Sequence, residues 1–453
     1  MSSPLTDYYR CPENLTHFKV RGDLSQDSGY FRFGADDVCF GRTAGTAPAS
    51  SAKAQLHDVM SDIRFEPGAT SLPFDPTQVV DSLRLEQYRG YSSNNGAGVD
   101  SLVRSLYYFV RPLLPVSVRK HLQKARLNGW RDLAFPRWPV DRTVDNVLER
   151  LLLLSMKANK VSQMPFIWFW PDGASGCFLM THDVETIEGR DFTSTVMDIN
   201  DSFGIKASFQ VVPERRYPVP ESYLDSIRKR GHELNVQDLN HDGHLFSERK
   251  QFLSRAEKIN AYGRQYGAEG FRSAVLYRRQ SWFDALQFSY DMSVPNVAHL
   301  DPQHGGCCTV MPYFVGGILE LPVTMTQDYS LFHILNEYSL DLWKRQIALV
   351  LEKHGLANFI IHPDYITQPR ERAVYEALLG YMVRLRSEQN IWIPVPREVN
   401  RWWRQRAEMR LVEDSHGWHI EGEGSERAHI AYASEQDGHL VYNFEPAVVA
   451  RHG

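Results

Sequence analysis

Two carboxylates stand two residues apart where an apolar run ends: Cys177-Phe178-Leu179-Met180 leads into Thr181-His182-Asp183-Val184-Glu185. In extended backbone that spacing puts Asp183 and Glu185 on one face and turns Val184 to the other. Like charges so close resist joint ionisation unless a metal ion, an arginine or a shared proton lies between them. The pair is therefore expected to draw a positive partner from elsewhere in the chain. Taken alone, the same acids would serve as the N-cap and first-turn acid of a following helix.

The elements that must position such a pair are short apolar runs alternating with longer helical patterns. Strands are expected at Cys177 to Met180, Ala207 to Val211, Glu233 to Val236, Gly270 to Arg272, Ile318 to Val323, Phe359 to Ile361 and Ile391 to Ile393. Between them, Glu248 to Tyr266 and Leu340 to His354 carry apolar residues near a 3.6 spacing. About seven β/α units in succession predict an α/β fold, a barrel or a doubly wound sheet. In such folds the reactive side chains gather at the carboxyl ends of the strands. The polar residues fall there: His182, Asp183 and Glu185; Gln237, Asp238, His241, Asp242 and His244; Arg272; Tyr290 to Ser293; Asp328; His362 and Asp364.

The flanks read differently. Residues 1–100 form a mixed, β-rich region, with strand-like Tyr30-Phe31-Arg32-Phe33 and Val38-Cys39-Phe40 around the turn signal Gly34 to Asp37. Residues 101–165 form a basic helical linker region, 166–396 the α/β domain, and 397–453 a helix plus a small β extension with turns at His416-Gly417 and Asp437-Gly438. The tracts Thr43 to Ala54 and Tyr91 to Gly98 have loop composition. Between Ser101 and Arg142 nine basic residues face only Asp132 and Asp141, so peripheral contact with an anionic membrane is one reading and an ordinary helix with a solvated basic face the other.

At 453 residues, 43% of them hydrophobic, the chain can bury more than one core, and a net charge of −5 gives no global pull toward nucleic acid. The five cysteines lack disulfide or zinc-site spacing and read as reduced thiols, Cys307-Cys308 included. No basic-then-apolar leader and no long apolar run occurs, which predicts a cytoplasmic protein. His182 and His232 read as packing groups, and Trp402 and Trp403 as core rather than a sugar-stacking surface.

The central segment resembles the polysaccharide deacetylase family, carbohydrate esterase family 4. Thr181-His182-Asp183-Val184-Glu185 resembles the family's D-x-[DE] motif, and Gly231-His232-Glu233-Leu234-Asn235-Val236-Gln237-Asp238-Leu239-Asn240-His241 its G-H-E-[IL]-x-x-H-x-x-x-H motif. Gly270-Phe271-Arg272-Ser273, Tyr290-Asp291-Met292-Ser293-Val294-Pro295 and Ile360-Ile361-His362-Pro363 resemble the three that follow. The match covers about half the chain and rests on order and spacing together.

The resemblance implies a distorted (β/α) barrel that removes acetyl groups from a carbohydrate substrate by metal-assisted hydrolysis. It makes Asp183 the general base, Arg272 the residue that holds that base ionised, His362 the general acid, and Asp291 or Asp364 the acid that keeps His362 protonated. It makes Glu185 and His241 ligands of a divalent, zinc-like metal. The chain departs from the family at Gln237, which stands where the first metal-binding histidine is expected and whose amide oxygen is a weaker ligand. Asp238 or His244 substitutes there, or the site is metal-free and cleaves a small amide with Asp183 and His362 alone. A carbohydrate-binding protein with a decayed catalytic face is the reading from another class.

Overall fold

The computed structural model describes residues 3–66, 69–89 and 129–445. The chain divides into two compact units, one of Met1–Arg84, Arg142–Ser175 and Arg401–Gly453, the other of Leu85–Asp141 and Gly176–Asn400. The Tyr91 to Gly98 tract and most of the basic segment, residues 101–128, lie outside the described residues. No helix among the described residues is long and apolar enough to cross a membrane.

The second unit carries an α/β sheet. Its strands are β1 (Gly176–Val184), β2 (Ser208–Val211), β3 (Glu233–Gln237), β4 (Gly270–Arg272), β5 (Tyr290–Asp291), β6 (Tyr313–Val315), β7 (Ile318–Glu320), β8 (Leu356–Ile361) and β9 (Ile391–Trp392). They run in the order β6-β7-β5-β4-β3-β2-β1-β8, with β9 also on β1. Only the β6–β7 pair is antiparallel. This mostly parallel sheet accords with a distorted barrel. Helices α1 (Ile187–Ser202), α2 (Glu221–Lys229), α3 (Arg249–Tyr266), α4 (Asp341–Leu351) and α5 (Pro369–Gln389) connect or flank the strands.

Local chemistry explains these boundaries. All nine residues of β1 are buried, as expected for a parallel strand covered on both faces. Thr186 then caps α1, its Oγ1 accepting the Gly189 N–H at 3.0 Å. Helix α3 ends at Gly267, whose φ of +59° gives the left-handed turn that glycine adopts without strain. Phe209, Val236, Ile259, Phe359 and Leu378 are fully buried in the core of this unit. Each such side chain contributes roughly 1.5–3 kcal/mol on leaving water. Every strand expected from the apolar runs is present within a few residues. Strands β5 and β6 fall outside the apolar runs that predict the others.

The first unit is a mixed assembly around the helix Thr143–Asn159. The expected hairpin is present, Gly29–Arg32 pairing antiparallel with Val38–Gly41. Near its C-terminus Arg410–Asp414 pairs with Gly417–Glu421, and Ile430–Gln436 pairs with both His439–Asn443 and Gln163–Ile167. Trp402 and Trp403 are buried, with Trp402 Nε1 donating to Phe169 O at 2.8 Å and Trp403 5.4 Å from the ring of Trp170.

Candidate active site

The strand register gathers the polar residues at one end of the sheet. Asp183 pairs in register with Gln210 of β2, Arg272 with Gln237 of β3, and Ile361 with His182, so His362 leaves β8 beside β1. Alternation along β1 turns Thr181 and Asp183 to the same side. Arg272, fully buried, spans both, Nη1 lying 2.8 Å from Thr181 Oγ1 and 2.6 Å from Asp183 Oδ1.

Gln237 Nε2 donates to Asp183 Oδ2 at 3.2 Å and to Glu185 Oε1 at 3.0 Å. Turning the amide over would set its oxygen against two carboxylates, which fixes the nitrogen toward them. His241 Nε2 lies 2.7 Å from Glu185 Oε1, and His362 Nε2 lies 3.5 Å from the same atom. On its other side, His362 Nδ1 is bonded to Asp328 Oδ1 at 2.7 Å, and its backbone N–H donates to Asp328 Oδ2 at 2.7 Å.

These contacts set the charges. Burial drives the Asp183 carboxyl above its usual range, and Arg272 and His362 only partly offset that. Arg272 therefore moderates the cost of burying Asp183 without lowering its pKa below normal, as the sequence alone had suggested it would. Glu185 is half-buried, but His241 and His362 outweigh its desolvation and hold it well below the usual carboxylate range. For His362 burial acts downward, and the carboxylates of Asp328 and Glu185 prevail, keeping the imidazole protonated well above pH 6.5.

The residues expected to form a site thus divide. Asp183, Glu185, Gln237, His241, Arg272 and His362 converge, whereas Asp291 does not join them. Its carboxylate accepts from Ser293 N at 2.8 Å and Ser293 Oγ at 2.9 Å, and it pairs in register with Glu320 of β7. The acid that grips His362 is Asp328, not Asp291 or Asp364. Asp328 was visible only as one more polar residue after a strand, because no local motif marks it. His182 and His232 are packing groups as expected: His182 stacks on Phe209 at 4.8 Å, and His232 Nδ1 accepts the Ala207 N–H. All five cysteines are buried, and none is in a disulfide.

The donor set can hold a divalent ion. Asp183, Glu185 and His362 each offer one ligand atom, and these lie within 4.8 Å of one another. His241 Nε2, buried against Glu185, lacks an aligned hydrogen bond. Gln237 Oε1, Arg272 Nη2 and Ser273 Oγ are likewise buried without a hydrogen-bond partner. Four unsatisfied polar atoms around one cluster are what a site for a polar ligand leaves when described without it. Gln237 itself presents N–H groups, not lone pairs, to the space between the acids, so in this geometry it is a hydrogen-bond bridge rather than a ligand.

No family model matches the sequence, and no curated protein matches it either. Among solved structures with a similar fold are polysaccharide deacetylases, CE4 proteins, an allantoinase and a 4-alpha-glucanotransferase. A Mycobacterium smegmatis protein assigned to the polysaccharide deacetylases is 16% identical over 52% of this chain and 93% of its own, with a TM-score of 0.43. Puue allantoinase is 12% identical over 52% and 92%, with a TM-score of 0.41. A CE4 family pseudoenzyme from Bacillus anthracis is 13% identical over 51% and 66%, with a TM-score of 0.33. Likeness at this level says nothing of activity, and a pseudoenzyme stands among the matches.

Proposed function

We propose that this chain is a hydrolase of carbon–nitrogen bonds in non-peptide amides, removing the acetyl group from an acetylated amino sugar. The observation that carries this reading is the pairing of opposite proton-transfer groups across one buried volume: Asp183, anchored by Arg272 at 2.6 Å, and a protonated His362, anchored by Asp328 at 2.7 Å. Asp183 takes a proton from water as its oxygen bonds to the acetyl carbon. His362 gives its proton to the sugar nitrogen as the carbon–nitrogen bond breaks, so that acetate and an amine leave. Arg272, holding one carboxylate oxygen, keeps the base directed into the site. Glu185 and His241, whose Oε1 and Nε2 lie 2.7 Å apart, would hold a zinc-like ion, which when bound would make water more acidic and the carbonyl more electrophilic, leaving Asp183 and His362 to move protons.

A second reading is favoured by one specific contact. The Gln237 amide, at 3.2 and 3.0 Å from Asp183 and Glu185, already bridges the two acids, and the charges of Arg272 and His362 balance the pair without a metal ion. On that reading the same base and acid cleave a small amide unaided. Acetate release from N-acetylglucosamine oligomers, measured with and without chelator and with Asp183→Asn in parallel, separates the two. Activity that survives chelation selects the metal-free centre, and no release from wild type under either condition refutes the deacetylase.

A further inference from the structure

A partly open cleft lies past the ends of β4, β5 and β7, walled by Leu276, Pro295 and Val323 and flanked by Trp138, Val297 and Leu300. Apolar lining of that kind is ordinary packing by itself. Asp301 changes its character, being a carboxylate only 9% exposed that faces the same space. None of Asp183, Glu185, His241 and His362 lines the cleft, so it stands apart from the proton-transfer chemistry.

Asp301 is poorly matched for so buried a charge. Gln327 Nε2 donates to its Oδ1 at 3.0 Å, and among the described residues nothing donates to Oδ2. Arg278 acts on it only through space, because that side chain is committed elsewhere. Arg278 Nε donates to Glu86 Oε2 at 2.7 Å, Nη1 to Leu276 O at 2.9 Å, and Nη2 to Glu86 Oε1. Burial lifts the Asp301 carboxyl to about 6 against the pull of Arg278 and the Gln327 amide, so it is charged at neutral pH. A charge so placed costs free energy until a cation or further donors reach it.

The polar groups around it are acceptors too. Gln327 spends its amide nitrogen on Asp301, which leaves Oε1 as its open end. That oxygen and the hydroxyls of Thr326 and Ser330 line the cleft without a hydrogen bond among the described residues, and none of the three is sealed from solvent. Gln346, by contrast, is used up, its Oε1 accepting the Thr326 N–H at 3.1 Å and its Nε2 donating to Pro139 O at 3.1 Å. Trp343 Nε1 donates to Thr326 O at 2.7 Å, so the segment that carries these oxygens is held on both sides. The cleft thus presents acceptors, one of them charged, on a fixed floor between apolar walls.

From this arrangement we infer that the cleft binds a small primary ammonium ligand, Asp301 Oδ2 and Gln327 Oε1 accepting two of its N–H groups and the hydroxyls of Thr326 and Ser330 the third. An ammonium carries one positive charge, three donors and no acceptor, the complement of these oxygens. Its carbon chain lies on the walls formed by Trp138, Val297 and Leu300. An anion is repelled by Asp301, a neutral alcohol leaves the carboxylate uncompensated, and a hydrated metal ion gains nothing from apolar walls. Gln327 is followed in the chain by Asp328, so the ligand lies beside the segment that holds His362. The inference does not depend on the hydrolase reading, since it uses none of the proton-transfer groups.

The test is a ligand-observed NMR titration of butylammonium chloride against full-length wild type, Asp301→Asn and the double variant Thr326→Val with Ser330→Ala, at fixed ionic strength, with thermal midpoints recorded for each. Wild type is expected to bind with a dissociation constant of about 1 to 5 mM. Asp301→Asn should weaken binding about tenfold or more and the double variant about threefold, the ranges that a charged and a neutral hydrogen bond span. The competitors are 1-butanol, which keeps the chain without the charge, and potassium chloride, which keeps the charge without the chain. Neither should displace butylammonium at equal concentration. Wild type that does not bind at about 50 mM overturns the ammonium site, as do folded variants that both bind like wild type. Displacement by 1-butanol overturns it in favour of an apolar cavity, and displacement by potassium in favour of a metal-cation site. Where Asp301→Asn fails to fold, the double variant and the two competitors decide.

Discussion

Asp328 holds His362 at two points, one carboxylate oxygen 2.7 Å from the imidazole Nδ1 and the other 2.7 Å from the backbone N–H. The double contact fixes the tautomer and the ring orientation together, leaving Nε2 to face Glu185 and the rest of the site. It also supplies much of the upward drive on the His362 pKa. Replacing the acid by its amide removes the charge and keeps the shape.

Asp328→Asn is accordingly expected to lower kcat by about two orders of magnitude, within the range that a positioned acid contributes. The sign of the pH effect follows from the pair. Without Asp328 the imidazole loses a proton at lower pH, so the alkaline limb of the pH–rate profile moves toward acid. A limb that stays in place would show that His362 does not donate the proton.

Arg272 and Asp183 form a fully buried ion pair at 2.6 Å. Removing one member of such a pair leaves an uncompensated buried charge, at a cost of about 3–5 kcal/mol. Arg272→Met should lower the urea midpoint accordingly, and adding Asp183→Asn to it should restore part of the loss. Asp183→Asn alone should abolish acetate release and, by leaving the buried Arg272 charge without its partner, should cost stability of the same order.

Gln237→His places an imidazole where the amide now bridges Asp183 and Glu185. Affinity for zinc is expected to rise tenfold or more, imidazole being the stronger ligand. Affinity should also rise with pH in wild type and variant alike, because an imidazole must be neutral to ligate. Metal content after dialysis, measured at pH 6 and pH 8, reads both effects. Equal zinc retention by wild type and variant would mean that Gln237 does not govern the metal.

Glu233 of β3 offers a pH effect away from the chemistry. Burial raises its pKa to about 7, although Arg397 N, Tyr290 Oη and Asn235 Nδ2 all donate to it. A carboxyl raised in the folded state stabilises the fold below its unfolded pKa, and that contribution is lost as pH rises from about 4.5 to about 7. The full span is roughly 3 kcal/mol at 1.36 kcal/mol per pKa unit. Glu233→Gln should therefore gain stability relative to wild type between pH 5 and pH 8, as read by urea denaturation. A constant difference between the two proteins across that range would place the ionisation elsewhere.

The sequence by itself determined which residues leave which strands. Apolar runs bounded by polar residues located β1, β2, β3, β4 and β8, and a period of two placed Asp183 and Glu185 together, because strand alternation is a local property of the backbone. Turn chemistry did the same for the hairpin around Gly34 and for Asp437-Gly438, where positive φ values of 51° and 81° are observed. Packing composition was enough to assign Trp402, His182 and His232 to the interior.

Only the tertiary structure decided the partners. Asp328 reaches His362 across 34 residues from the start of a helical turn without a motif, and Asp291, which a motif singles out, turns to Ser293 and β7 instead. The polarity of the Gln237 amide follows from two carboxylates that arrive from another strand. The net rise of the Asp183 pKa depends on how deeply the site is buried. Each of these is a contact between side chains distant in sequence, set by strand order and burial, and neither periodicity nor local spacing encodes it.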